Sequence, residues 1–86
     1  MTIEEAAEQL KAMYHDPALG KAVSVHLYGI RHAREIDGMP LQEIAVRAGI
    51  SKNYGTEIRK GINLARYVIE KRQPDSHSEL GWQATI

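Results

Sequence analysis

The sequence predicts a small all-α domain of four or five helices followed by a mobile C-terminal tail. Apolar residues recur three and four apart in successive segments, the spacing that gathers them on one face of a helix. No stretch alternates apolar and polar residues with period two, so strands have no support. Asp16-Pro17, Asp37-Gly38, Pro40 and Gly49 punctuate the chain where helices start or stop.

The first helix is predicted over about residues 3–14. Thr2 and Glu5 form a capping box, in which the hydroxyl meets a free amide and the carboxylate reaches back. Ile3, Ala6, Ala7, Leu10, Met13 and Tyr14 follow as one stripe, and Glu4, Glu5 and Glu8 suit the positive end of the helix dipole. A second helix is predicted from Asp16-Pro17 to Asp37-Gly38, because Asp caps and Pro fits the first helical position. Its apolar arc holds Leu19, Ala22, Val23, Val25, His26, Leu27, Gly29, Ile30, Ala33 and Ile36. Lys21, Ser24, Tyr28, Arg31, His32 and Glu35 fall on the other side, which predicts an exposed Tyr28. So broad an arc implies more than one neighbour, and the small residues Ala22, Gly29 and Ala33 predict a close crossing.

A third helix begins near Pro40, carries Leu41, Ile44, Ala45 and Ala48, and stops at Gly49. The last starts at about Ser51, whose hydroxyl suits a cap. Tyr54, Ile58, Ile62, Ala65 and Ile69 form its stripe, which keeps phase across Gly61 and favours one helix to about Arg72. The rival reading breaks it at Gly61 and restarts from Asn63. Residues 1–72 are thus read as one helical domain. Residues 73–86 are read as a flexible acidic tail in which only Trp82 offers a docking side chain.

The 86 residues carry 11 basic and 11 acidic side chains and no cysteine, so disulfide scaffolds, cysteine zinc sites and thiol catalysis are excluded. No apolar run is long enough for a membrane span, and the acidic start is unlike a secretory signal, so a cytoplasmic protein is expected. The neutral total hides a division: residues 1–20 balance to −3, residues 21–72 to +5 and residues 73–86 to −2. For a phosphate-facing surface, position matters more than the total.

Within the basic segment, Leu41, Ile44, Ala45, Ala48, Gly49, Ile50, Ser51, Tyr54 and Ile58 stand at fixed spacing. The pattern resembles the helix-turn-helix unit of bacterial and phage DNA-binding regulators, over about residues 41–60. In it Ala45 lies where the helices cross, Gly49 supplies a positive φ, Ile50 plugs the space between them, Ser51 caps the second helix, and Ile44 and Ile58 anchor the pair. Gly55 departs from the family, which prefers a β-branched or similar apolar residue there; either Tyr54 fills the space, or the second helix starts later or packs differently.

The resemblance implies that the second helix enters the major groove of duplex DNA. Lys52, Asn53 and Thr56 are then expected to face bases, and Arg47, Arg59, Lys60 and Arg66 to face phosphates. A homodimer on a two-fold site is expected, joined through the first helix or the end of the last. His26 and His32 do not converge on one ion, so His26 is read as a core histidine bonded to a neighbouring backbone or side chain. No metal, cofactor, small-molecule substrate or catalytic constellation is expected, and the chain is read as a transcription regulator and not an enzyme. The alternative is a helical module, an accessory or inhibitor subunit, that docks a protein partner without touching DNA.

Overall fold

The computed structural model describes residues 1–71; the predicted tail, with Trp82, lies outside them. Among the described residues every regular element is helical. These are α1 (Ile3–Tyr14), α2 (Lys21–Arg31), α3 (Ala33–Ile36), α4 (Leu41–Arg47) and α5 (Tyr54–Leu64).

Helix α1 matches its sequence signal residue for residue. The Thr2 hydroxyl accepts from the Glu5 amide at 3.1 Å, and the Glu5 carboxylate accepts from the Thr2 amide at 2.8 Å. The Thr2 amide, helped by the Thr2 hydroxyl, holds the Glu5 carboxyl below its usual range. Ala6, Ala7, Leu10 and Met13 face inward.

Helix α2 is shorter than predicted at both ends. Asp16-Pro17 starts a turn instead of a helix: the Asp16 carboxylate accepts from the Ala18 amide at 2.9 Å, and Gly20 becomes the N-cap. At the far end the chain breaks at His32 (φ −108°, ψ 19°) and resumes as α3. That corner turns Ile36 into the core, where it is fully buried.

The buried face of α2 is also rotated from the predicted arc. Ser24 and Tyr28 are fully buried, whereas Val23 is 51% exposed and Ala22 is exposed as well. The cause is α1, which covers this side and offers the Ala6 carbonyl to the Tyr28 hydroxyl at 2.7 Å. Burial pushes the Tyr28 hydroxyl pKa up to about 12. Ser24 is satisfied locally by donating to the Lys21 carbonyl at 2.7 Å.

The predicted close crossing falls at Gly29, with Gly61 of α5 opposite. A Cβ built on Gly29 would lie 2.5 Å from the Ile58 carbonyl oxygen and 2.9 Å from the Gly61 Cα. Glycine at both positions therefore lets two backbones touch. This also explains why α5 runs unbroken through Gly61: packing against α2 offsets the roughly 1 kcal/mol of helix propensity lost to glycine.

Helix α5 ends at Leu64, short of the predicted Arg72. From Ala65 onward hydrogen bonds shorten toward i→i+3, as in Tyr67 N–H to the Leu64 carbonyl at 2.8 Å. Isolated helix is marginal in water and needs a buried face. Beyond Leu64 that face has no neighbour, since Tyr67 is 81% and Ile69 94% exposed. The chain instead lets Glu70 pair with Arg31 at the end of α2.

Candidate nucleic-acid interface

The unit formed by α4, its turn and α5 is a helix-turn-helix. Ala48 caps α4 and Gly49 follows at φ +86°. The Gly49 amide then donates to the Val46 carbonyl at 3.0 Å, and the Ile50 amide to the Ala45 carbonyl at 3.0 Å. This double closure requires the left-handed conformation that glycine adopts without strain. It sends Ile50 back onto the core, where Ile44, Ala45, Ala48 and Ile58 are buried.

Gly55, the departure from the family pattern, has a steric reason here. A Cβ at this position would sit 2.9 Å from the Gln42 Cγ and 3.1 Å from its backbone nitrogen. The starts of α4 and α5 thus approach too closely for a branched residue. Tyr54 does not fill the gap; its ring packs edge-on against Tyr14 of α1, centroids 5.5 Å apart. The two hydroxyls lie 3.4 Å apart, and this contact raises the Tyr54 pKa.

The entry to α5 differs in detail from expectation. The helix begins at Tyr54, and Asn53 stands at its cap without a side-chain hydrogen bond. Ser51 bonds earlier, its hydroxyl accepting from the Asn53 amide at 3.1 Å. The Asn53 side chain is left facing solvent, beside exposed Lys52 and Thr56. Thr56, Lys60 and Asn63 continue this face, all exposed and opposite buried Ile58 and Ile62.

The four expected phosphate contacts do not share one surface. Arg47 is held between α4 and α1, bonded to Glu43 and Glu4 at 2.7 Å each. Arg59 reaches Asp37 at 3.0 Å, and Lys60 reaches Glu57 at 3.4 Å. Arg66 takes no ion pair among the described residues and, with Arg59, faces a groove toward α3. Exposed pairs of this kind are worth about 0–1 kcal/mol, so a competing phosphate displaces them at small cost.

One flank of α5 carries Glu57. Glu57 bonds the His26 Nε2 at 2.6 Å, and that contact draws its pKa below the usual range, helped by Lys60. His26 is thus bonded to a neighbour, as its sequence context predicts, although its side chain is 36% exposed and not in the core. The opposite flank is basic. Arg31 and Arg34 join Arg59 and Arg66 there because the break at His32 swings α3 toward α5. A single continuous second helix conceals that grouping, and Arg34 carries no periodic signal of its own.

His32 at the break is the least satisfied polar group. Its Nε2 is buried without a hydrogen-bond partner, and Nδ1 lies 3.7 Å from Glu35. Burial lowers its pKa, with Glu35 opposing. The folded state therefore refuses a proton that the unfolded chain accepts below about pH 6.5. Stability is complete above that pH and falls as pH drops through it. Melting temperatures at pH 7.5 and 5.5 are expected to diverge for the wild type and to converge in His32→Leu. Equal divergence in both proteins would refute this role.

No group of three metal-ligating side chains occurs among the described residues, and no helix there is long and apolar enough to cross a membrane. In comparisons with known proteins, a family model described as an HTH-like domain matches residues 2–71. Neither the curated proteins nor the solved structures gave a match.

Proposed function

Because the chain belongs to the HTH-like domain family, we propose that it binds duplex DNA sequence-specifically, through the exposed face of α5. The observation that carries this reading is the free polar side of the second helix of the unit. Lys52, Asn53 and Thr56 stand at its entry with no intramolecular ion pair or cap among the described residues. Asn pairs well with adenine, Thr with a thymine methyl, and Lys with guanine or phosphate. Lys60 and Arg59, each tied only by an exposed pair, exchange their carboxylates for phosphates on binding, and Arg66 has none to exchange. Arg47 is better placed as a strut joining α4 to α1, because two carboxylates already hold it.

The action is occupancy without chemistry, as a bacterial or phage transcription regulator in the cytoplasm. One such unit covers little DNA, so two copies on a two-fold site are proposed. The end of α5 and the segment after it support that pairing: Leu64, Tyr67, Val68 and Ile69 are between 43% and 94% exposed. Large apolar side chains left exposed within one short segment are candidates for a partner surface.

Selection of bound sequences from a random duplex pool tests the reading. A recovered palindrome is expected, with half-sites about one helical turn apart. A pool that emerges without enrichment would remove sequence-specific recognition and favour the protein-partner alternative.

A further inference from the structure

The basic flank of α5 faces α3 across a groove of about 610 Å³. Four arginines line it, Arg31 and Arg34 on one wall and Arg59 and Arg66 on the other, with Asn63 between the last two in sequence. Two of the four are already neutralised, Arg31 by Glu70 and Arg59 by Asp37. The remaining acid of the groove, Glu35, faces His32. Arg34 and Arg66 are both exposed and take no ion pair among the described residues. Two such arginines thus stand in the groove, one on each wall, and its balance is one positive charge once Glu35, Asp37 and Glu70 are counted.

Its position says what approaches it. Asn63 belongs both to the groove and to the exposed face that begins at Thr56. A helix about 10–12 Å wide laid in a major groove about 12 Å wide has a sugar-phosphate chain along its side. On one side of α5 that chain would meet the Lys60–Glu57 pair; on the other it meets the arginines. We propose that the groove between α3 and α5 seats the phosphodiester backbone of the bound duplex, with Arg34 and Arg66 as its contacts. This deepens the DNA-binding reading and rests on it. It makes α3 a second wall of the interface and assigns Arg34 a role that the helix-turn-helix pattern does not reach.

Counterion release makes the proposal quantitative. Each phosphate contact adds about 0.9 to the slope of log Kd against log salt concentration. Arg34→Gln and Arg66→Gln should each lower the wild-type slope by about 0.9, and the double variant by about 1.8. Affinity at 0.1 M salt should fall about eightfold per arginine, equally on selected and unrelated duplexes. The charge-preserving Arg34→Lys/Arg66→Lys variant should restore the slope. Lys11→Gln, an equal charge change on α1, should leave it unaltered.

A double glutamine variant that keeps the wild-type slope while the wild type binds steeply would overturn the groove and leave the DNA reading intact. A loss that the double lysine variant fails to rescue would make the arginines structural and also overturn it. A wild-type chain that binds no duplex at all would overturn both.

Discussion

Gly61→Ala is expected to lower the melting temperature by about 15 °C, a large effect for one methyl group. A Cβ at residue 61 would overlap the His26 carbonyl oxygen and lie 2.9 Å from the Gly29 Cα. Both are backbone atoms of α2, so no side chain can turn aside. The only relief is to move α2 and α5 apart, which loosens Val25, Ile58 and Ile62.

Two opposing magnitudes decide the sign. Alanine in a helix interior is favoured over glycine by about 1 kcal/mol. Overpacking commonly costs about 1–3 kcal/mol, and a clash between two backbones belongs above that range. A net loss of about 3 kcal/mol is expected, against a total of roughly 5–10 kcal/mol for a chain of this length. Gly29→Ala should behave alike, because its Cβ meets the Ile58 carbonyl oxygen at 2.5 Å. Gly20→Ser is the control. Nothing lies within 4 Å of its Cβ, it caps α2, and serine there should hold or slightly raise the melting temperature. Thermal unfolding followed by circular dichroism measures all three. A Gly61→Ala protein melting with the wild type would refute the close crossing.

The parts of the fold that were legible in the sequence are those that local chemistry decides. The Thr2/Glu5 box needs partners only three residues apart, and the Gly49 turn closes within five. The glycine of α2 at the crossing was legible too, because small residues on an apolar arc have few other uses. Tyr28 and Ser24 were misplaced because their burial depends on α1, with Ala6 lying 22 residues from Tyr28 in sequence. Hydrophobic ranking sent Val23 inward and the tyrosine outward, whereas a hydroxyl that finds a buried carbonyl reverses that order. The end of α5 was overestimated for the same kind of reason, since periodicity continues past Leu64 but the partner surface does not. At the candidate interface, the exposed positions Lys52, Asn53 and Thr56 followed from the pattern of the unit. The grouping of Arg34 with Arg66 did not, because it depends on the turn at His32.

The second large effect concerns the exposed face of α5 itself. Lys52→Glu/Lys60→Glu reverses two charges without touching the core, since both side chains are exposed. The new carboxylate at position 60 would stand one turn from Glu57, and a like-charge pair at that spacing costs only a few tenths of a kcal/mol. The fold should therefore persist. Duplex binding should not, because each reversal removes a counterion-releasing contact and adds a repulsive one; a loss of about 100-fold at 0.1 M salt is expected.

Binding of a labelled duplex across a salt series, for the wild type and for Lys52→Glu/Lys60→Glu, tests the central claim most directly. The wild type should weaken steeply as salt rises, and the variant should start about 100-fold weaker and fall along a shallower line. Superimposed curves from two equally folded proteins would contradict the claim that this face of α5 meets DNA.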